Sequence, residues 1–412
     1  MNNTISVIIP VHNAGNHLGM CLESIVSSSY EHYEVIVVDD NSTDNSAEIS
    51  RQKGFNVFTL SGSSGPKGPA FARNFGVERA QGEIVMFVDS DVLVRPETIK
   101  LIVENFDDDN IDAVFGSYDE DPKHKNFISQ YKNLFHHFIH QQSHTGSSSF
   151  WAGCGAIRRD VFLKAGGFDA KRFIRPSIED IELGSRLKDM GHKIVLDKSV
   201  QVKHLKRWNL YSLIKTDVID RAIPWIKLII ETNSIPRDLN LKYSYRVSSV
   251  LASIFAAFII LLFSGSGTYL FSTWIFPYAV LLLISLSIGV TFIEFYFLIK
   301  RFNKTAVLNT KKLLLTLFVG LLTACSIFVL IDFLTFGFFP VSCLYYFSAV
   351  MLFFTIILLN SQVYYFFSKK KGIRFAMLVI LMHFLYYIYS FLTFITFWPI
   401  FKLSKSFKTD MK

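Results

Sequence analysis

The sequence predicts an α/β fold with a doubly wound sheet, followed by an all-α transmembrane region. Two observations lead to this prediction. Short apolar strands alternate with amphipathic helices from the N-terminus onward, which is the pattern of βαβ units. Beyond residue 240 the chain changes to long apolar stretches, each near the ~20 residues that cross a bilayer. We therefore expect an α/β domain over residues 1–240 and a membrane region over residues 241–412 with about four to six spans.

Four predicted strands open the chain, at residues 5–10, 33–38, 57–60 and 84–88. They are short apolar runs, as expected of buried parallel strands. Helical patterns at residues 15–29, 45–53 and 70–80 separate them. Ligands of such sheets bind at the carboxyl ends of the strands, so the residues that follow each strand are the candidates for a site.

The charges are divided unevenly between the two predicted regions. After residue 240 there are three acidic and fifteen basic residues, a net of +12, whereas residues 1–240 hold 31 acidic and 27 basic residues, a net of −4. The overall charge of +8 therefore belongs to the membrane region and does not predict nucleic-acid binding. Basic loops beside apolar segments instead indicate cytoplasmic sides and contact with anionic lipid.

The cysteines Cys21, Cys154, Cys325 and Cys343 include no CxxC pair, so we expect buried thiols in a reducing compartment. No signal peptide is visible at the N-terminus, so we expect residues 1–240 in the cytoplasm. The protein is then an integral protein of a bacterial or archaeal plasma membrane.

Five apolar stretches are candidate spans: 247–263, 274–299, 313–333, 344–367 and 375–400. Lysines and arginines cluster between the second and third stretches and between the fourth and fifth. Both clusters fall on the cytoplasmic side if the α/β domain does. Five spans would place the basic tail on the opposite side, so either one stretch is re-entrant or the number of spans differs by one.

The most informative motif follows the fourth strand, where the run Ile-Val-Met-Phe-Val is succeeded by Asp89, Ser90 and Asp91. Two carboxylates spaced one residue apart leave the sheet edge in the same direction. Such oxygens suit a hard divalent cation that also holds a diphosphate. The same pattern also occurs in solvated turns, and the strand that precedes it favours the metal site.

Other strand and helix ends add polar groups. Asp39 and Asp40 follow the second strand and could bind a nucleobase or ribose, or cap a helix. Arg73 lies near the start of a helix, where a phosphate could bind, although a surface role is equally consistent. Asp180, with Glu179, opens a predicted helix and could accept a proton there, or only complement the helix dipole.

Two further segments could complete the site. Trp151 and Gly153 lie in a stretch of small residues where a backbone can approach a ligand closely, or in a tight packing turn. His204 follows a strand and could be a third metal ligand, although a lone histidine is more often structural. The helical segment 123–145 either packs on the sheet or lies at a membrane interface.

Together these motifs resemble family 2 glycosyltransferases with the GT-A-type doubly wound nucleotide-binding sheet, over about residues 4–208. The matching motifs are SVIIPVHN (6–13), VVDDNS (37–42), ARNFG (72–76), DSD (89–91), GGF (166–168) and ED (179–180). The resemblance implies a UDP- or GDP-sugar donor and Mg²⁺ or Mn²⁺.

The resemblance also implies roles for individual residues. Donor-binding residues are Pro10, His12, Asp39, Asp40, Arg73, Asp89 and Asp91. The metal ligands are Asp89, Asp91 and His204, with Asp91 the more direct one. Asp180 corresponds to the catalytic base of inverting members, with Glu179 beside it. Acceptor residues are Trp151, Gly153, Arg207 and Trp208.

One departure concerns the acceptor. Processive polysaccharide synthases have a Gln-x-x-Arg-Trp motif, and here His204 stands in the place of the glutamine while Arg207 and Trp208 are kept. We therefore expect transfer of one sugar to a lipid-linked acceptor, such as a polyprenyl or glycolipid. The alternatives are a processive synthase and a catalytically silent membrane protein that binds a nucleotide sugar.

Overall fold

A computed structural model of the protein describes residues 4–60, 65–232, 243–263 and 341–410. The chain divides into two compact units. The first comprises Met1–Lys242 together with Thr393–Lys412, and the second comprises Tyr243–Leu392. The first contains the predicted α/β domain, and the described residues of the second are helical.

The strands of the α/β unit are, in chain order, Ile5–Val11 (β1), Tyr33–Asp39 (β2), Asn56–Thr59 (β3), Ile84–Val88 (β4), Val92–Leu93 (β5), Ala113–Tyr118 (β6), Gly146–Ser147 (β7), Cys154–Arg158 (β8) and Ile194–His204 (β9). They form one sheet in the order β3-β2-β1-β4-β8-β6-β9-β5, and β7 pairs with β9. The four predicted strands form a parallel half of this sheet. Because β8 runs antiparallel to both β4 and β6, the sheet as a whole is mixed.

The helices of this unit are Gly15–Val26 (α1), Ser46–Gln52 (α2), Pro69–Val77 (α3), Thr98–Asn105 (α4), Phe127–Gln141 (α5), Arg159–Lys164 (α6), Glu179–Asp189 (α7), Leu210–Lys215 (α8) and Ile223–Thr232 (α9). A π-helical segment, Thr216–Ala222, joins α8 to α9. Most residues of α5 are buried. Of the two alternatives predicted for this segment, the structure therefore has the packed helix and not the interfacial one.

The apolar core lies on both faces of the sheet. Alternate residues of a strand point to opposite faces, so Val7 and Met86 belong to one buried cluster, while Ile8 and Phe87 belong to the other. The strands are therefore fixed in register by burial on both sides. Their carboxyl ends place Asp39 and Asp89 at the same edge of the parallel half.

The second unit contains α10 (Tyr243–Phe263), α11 (Val341–Leu359) and α12 (Ser361–Lys371), and α13 (Ile373–Asp410) continues from it into the first unit. The predicted spans 274–299 and 313–333 lie outside the described residues. Among the described helices, Ile373–Lys405 is long and apolar enough to cross a membrane, and the bent pair Ala349–Leu359 and Ser361–Lys371 is a second candidate.

The candidate span 344–367 is bent in the structure, where its two helices meet at 69° around Asn360, so it is either a broken span or a re-entrant segment. The Asn360 side chain donates to Ser248 Oγ at 2.9 Å and to Ile356 O at 2.8 Å, and it accepts from the Tyr387 hydroxyl at 2.6 Å. A buried amide must satisfy its polar atoms, and these three bonds stabilise the bend.

Candidate active site

His204 and Asp91 are brought together by the pairing of β5 with β9. In this antiparallel register Val92 lies opposite His204, and Leu205 N donates to Asp91 O at 2.8 Å. As a result, His204 Nε2 lies 3.3 Å from Asp91 Oδ2. Burial alone would raise the pKa of Asp91, but His204 outweighs it, and the net effect lowers the pKa of that carboxyl. Asp91 is therefore held as a carboxylate.

Two residues that the sequence did not suggest fix the His204 ring. Its Nδ1 lies 2.7 Å from Asn133 Oδ1 of α5, and the Tyr118 ring stacks on it at 4.4 Å with an angle of 9° between the planes. Tyr118 ends β6, so the strand-end rule could have found it. Asn133 lies inside a helix and has no comparable signal in the sequence.

Arg73 lies buried between two carboxylates. Its Nη2 donates to Asp89 Oδ1 at 2.8 Å, and its Nη1 donates to Glu179 Oε1 at 2.9 Å. The side chains of Arg73 and Glu179 are each 6% exposed. The other Glu179 oxygen accepts from Ser177 N at 2.8 Å. Arg73 thus connects the end of β4 to the start of α7, and its charge is already balanced by these two groups.

Asp180 stands at the first turn of α7 beside the 151–153 segment. Its Oδ2 accepts from Ala152 N at 3.1 Å, and its Oδ1 accepts from Ile181 N at 2.8 Å. Burial, followed by the nearby Glu179 charge, raises the pKa of Asp180 to about 7. A carboxyl with a pKa near neutrality is suited to accept a proton at physiological pH.

The two aspartates at the end of β2, Asp39 and Asp40, have different hydrogen-bond partners. Both Asp40 oxygens accept backbone hydrogen bonds, from Lys67 N at 2.8 Å and Gly68 N at 2.7 Å. Asp39 is 2% exposed, and its buried Oδ1 has no partner among the described residues. Asp39 can therefore accept a hydrogen bond from a ligand, whereas Asp40 holds the start of α3 in place.

Pro10 and His12 lie at the end of β1 and just after it. Pro10 is paired in register with Val38 of β2. His12 Nδ1 lies 2.8 Å from Asp40 O, and the His12 residue is exposed. Both predicted donor-binding residues are therefore next to the β2 end that holds Asp39.

The predicted acceptor residues differ in how far a ligand could reach them. The Trp151 indole lies over Gly153, where an added Cβ would be 2.5 Å from the ring, so this close approach requires glycine. Tyr118 meets Trp151 edge to face at 4.8 Å. Arg207 is exposed, whereas Trp208 is only 3% exposed and is held against α5. Stacking of a ligand on Trp208 would require that segment to move.

A divalent cation fits Asp91 and His204. Within the described ranges, no group of three or more His, Cys, Asp or Glu side chains is placed to hold a metal ion. Mg²⁺, however, is commonly bound through one or two carboxylates with substrate phosphates and water supplying the other oxygens. Asp91 supplies one such carboxylate and His204 adds a ring nitrogen beside it, while one Asp89 oxygen is already bonded to Arg73.

A separate cavity of about 610 Å³ lies between α3, the 165–171 turn and the middle of α7. Its lining includes Phe71, Phe168 and Arg186, but none of Asp39, Asp89, Asp91 or Asp180.

Comparison with known proteins finds a family model that matches part of the α/β unit. Residues 6–166 match the family model described as glycosyl transferase family 2. This part of the chain is therefore similar to family 2 glycosyltransferases. The matched range holds every predicted donor-binding residue, including Asp39, Asp89 and Asp91, and it ends before Asp180. The domain and its mixed sheet agree with the GT-A-like α/β fold that the motifs implied.

Individual relatives match over the same domain. The chain is 36% identical over 120 residues to glycosyltransferase GlyG of Streptococcus pneumoniae, which is 29% of this chain and 40% of that protein. It is 39% identical over 100 residues to poly(ribitol-phosphate) beta-glucosyltransferase of Bacillus spizizenii, 23% of this chain and 16% of that protein. The chain thus spans less than half the length of these relatives.

Among solved structures, the mannosyltransferase PcManGT from Pyrobaculum calidifontis, in complex with GDP-Man and Mn²⁺, is similar over 55% of this chain and 62% of its own. The identity is 20% and the TM-score is 0.41.

Proposed function

We propose that this protein is an inverting, metal-dependent glycosyltransferase that moves a sugar from a nucleotide-diphosphate sugar to a lipid-linked acceptor at a membrane. The observation that supports the chemistry most strongly is the buried Arg73, which bonds both Asp89, two residues before Asp91, and Glu179, the neighbour of Asp180. It joins a cation and phosphate site to a base with a pKa of about 7.

In the proposed reaction, the oxygen of an acceptor hydroxyl attacks the anomeric carbon as the bond from that carbon to the diphosphate breaks. Asp180 accepts the hydroxyl proton, and the two electrons of the broken bond leave with the diphosphate. A bound Mg²⁺ or Mn²⁺ would balance the charge of the leaving diphosphate. Asp91 and His204 would hold that ion, and Asp39 would accept a hydrogen bond from the nucleobase.

The membrane part of the proposal is supported by composition and by α13. The Ile373–Lys405 segment can cross a bilayer, and basic residues flank the apolar stretches. We place the catalytic domain in the cytoplasm of a bacterial or archaeal cell. Because the relative from Bacillus spizizenii is named for poly(ribitol-phosphate), a phosphate-rich envelope glycan is the second acceptor class to test.

A processive synthase is the closest alternative. The position of His204 argues for the single-transfer enzyme, because its ring points to Asp91, and Trp208 is buried against α5 rather than open to an acceptor. Product length measured with the purified full-length protein separates the two: one added sugar supports the proposal, and a ladder of products supports the synthase.

A donor screen tests the activity itself. UDP- and GDP-sugars are offered with Mn²⁺, and hydrolysis and transfer to polyprenyl phosphate, glycolipid and poly(ribitol-phosphate) are followed. The proposal predicts turnover with one nucleotide class that stops on chelation. Binding by thermal shift with no turnover of any donor would instead support a silent nucleotide-sugar-binding protein.

A further inference from the structure

The hydrogen bond between His204 and Asn133 determines which ring nitrogen faces Asp91. We infer that Asn133 is a positioning residue, which keeps the proton of His204 on Nδ1 so that the Nε2 lone pair points beside Asp91 toward a divalent cation. This inference rests on the proposed function and adds to it a residue outside the matched motifs.

The first support is the register between α5 and the segment after β9. Asn126 Nδ2 donates to Trp208 O at 2.7 Å, and Trp208 N donates to Ser129 Oγ at 2.8 Å. Asn133 continues the same face of the helix and bonds to His204. One polar stripe, formed by α5 and the Asn126 at its N-cap position, therefore holds both ends of the 204–208 segment, and Asn133 is its contact with the imidazole.

The second support is the chemistry of the two ring nitrogens. An amide oxygen can only accept, so a ring nitrogen 2.7 Å from Asn133 Oδ1 must be the protonated one. In the neutral ring Nε2 then has a lone pair, and it lies 3.3 Å from a carboxylate oxygen. Two lone pairs at this distance repel each other, so a positive charge must lie between them, which is a proton on Nε2 when no metal is bound and would be the divalent cation when one is bound. The arrangement is therefore matched to a positive ion.

The third support is rigidity. His204 is 6% exposed and Asn133 is 2% exposed, and Tyr118 stacks on the ring. Asn133 Nδ2 is buried and donates to no described residue, so the His204 bond alone determines how the amide is oriented. Rotating that amide would place its NH₂ against Nδ1 and move the imidazole proton to Nε2, where it would bond to Asp91 and exclude a cation. Residues of this kind beside a ligand histidine typically change metal affinity by 10–100-fold.

The test measures Mn²⁺ affinity from the electron paramagnetic resonance signal of free Mn²⁺, using the full-length protein with UDP and, separately, with GDP. Asn133→Leu removes the acceptor at similar size, and we expect about 10–100-fold weaker Mn²⁺ binding. Asn133→Asp restores an acceptor for Nδ1–H, and we expect affinity within about threefold of wild type. If Asn133→Leu does not fold, Asn133→Ser, whose oxygen is too short to reach, is used instead.

Asn105→Leu is the matched control. Asn105 is likewise a helical asparagine with side-chain hydrogen bonds, to Leu101 O and Asp197, but it belongs to α4 and is half-buried where Asn133 is buried. Its variant is expected to bind Mn²⁺ as wild type does. A folded Asn133→Leu with wild-type affinity, or an Asn133→Asp as weak as Asn133→Leu, would overturn the inference and leave the proposed function intact. Wild-type protein that binds no Mn²⁺ with either nucleotide would overturn both the inference and the metal dependence of the proposed reaction.

Discussion

Arg73 and Glu179 are 106 positions apart in the chain, yet Arg73 Nη1 lies 2.9 Å from Glu179 Oε1. The bond joins α3, which lies beside the predicted donor-binding residues, to the first turn of α7, which holds Asp180. Because the same guanidinium also bonds Asp89, one buried cation sets the distance between the proposed phosphate site and the proposed base. Arginine suits this role since its planar fork can bond two carboxylates at once.

Arg73→Gln is expected to destabilise the α/β unit. Removing the Arg73 charge leaves the buried Glu179 carboxylate and the partly buried Asp89 carboxylate unbalanced, a loss of roughly 3–5 kcal/mol. At about 2–4 °C for each kcal/mol, this lowers the midpoint of thermal unfolding by about 6–20 °C. Arg51→Gln, an exposed arginine of α2 bonded to Thr59, is the control and should change the midpoint by about 2 °C or less. Equal midpoints for both variants would show that Arg73 does not hold the site together.

Asp180→Asn is expected to lose sugar transfer while nucleotide binding is kept. General base catalysis typically contributes 10²–10⁴-fold, so the rate should fall by about that factor. Asp189→Asn, at the exposed far end of α7, is the control and should keep wild-type rates. Both are measured by transfer rate and by nucleotide titration. Loss of nucleotide binding in Asp180→Asn would make Asp180 a structural group rather than the base.

The raised pKa of Asp180 predicts how activity depends on pH. A base with a pKa of about 7 is mostly protonated below that value, so kcat/KM should rise with pH and level off above about 8. The measurement is kcat/KM from pH 5 to 9. A flat profile across this range would exclude Asp180 as the titrating base, as would an unchanged rising limb in residual Asp180→Asn activity.

The same pKa predicts the sign of a stability difference. The pKa of Asp180 is higher in the folded protein than in the unfolded chain. The contribution of Asp180 to the free energy of unfolding is therefore present at low pH and is lost as pH rises through about 7. Asp180→Asn should therefore melt higher than wild type at pH 8, by about 2–4 °C for each kcal/mol, and the difference should shrink at pH 5. A variant that melts lower than wild type at pH 8 would contradict this.

The end of α13 predicts where the C-terminus lies. Lys405 Nζ donates to Ile230 O of α9 at 2.6 Å, and both residues belong to the first unit. We therefore expect an even number of spans between the α/β unit and the tail. Protease protection of N-terminal and C-terminal tags in inverted vesicles should show both on the same side. Tags protected on opposite sides would mean that the Lys405 contact does not exist in the membrane-bound protein.

The sequence predicts those parts of the site that local pattern determines. The four parallel strands and the carboxylates after them could be placed because burial on both faces makes strands read as short apolar runs. Tyr118 obeys the same strand-end rule but was missed, since an aromatic residue at that position is not distinctive. The position of His204 was identified, but its contact with Asp91 depends on β5 pairing with β9, which joins strands far apart in the chain.

Other features depend on tertiary contacts that no local pattern contains. Arg73 looks like a phosphate-binding residue from its place near a helix start, yet its partners lie on β4 and α7. Asp40 resembles a ligand residue, but its two oxygens bond the backbone before α3. The bend at Asn360 interrupts the predicted apolar stretch 344–367, because one buried amide forms hydrogen bonds to side chains on two other helices.

The most direct test of the account is nucleotide binding by wild type and Asp91→Asn in the presence and absence of Mn²⁺, measured by calorimetry with UDP and GDP. If the separated acidic residues form one cation and diphosphate site, wild type should bind one nucleotide at least about tenfold more tightly with Mn²⁺, and Asp91→Asn should lose that gain while remaining folded. An Asp91→Asn protein that keeps the full Mn²⁺ effect would contradict the central claim.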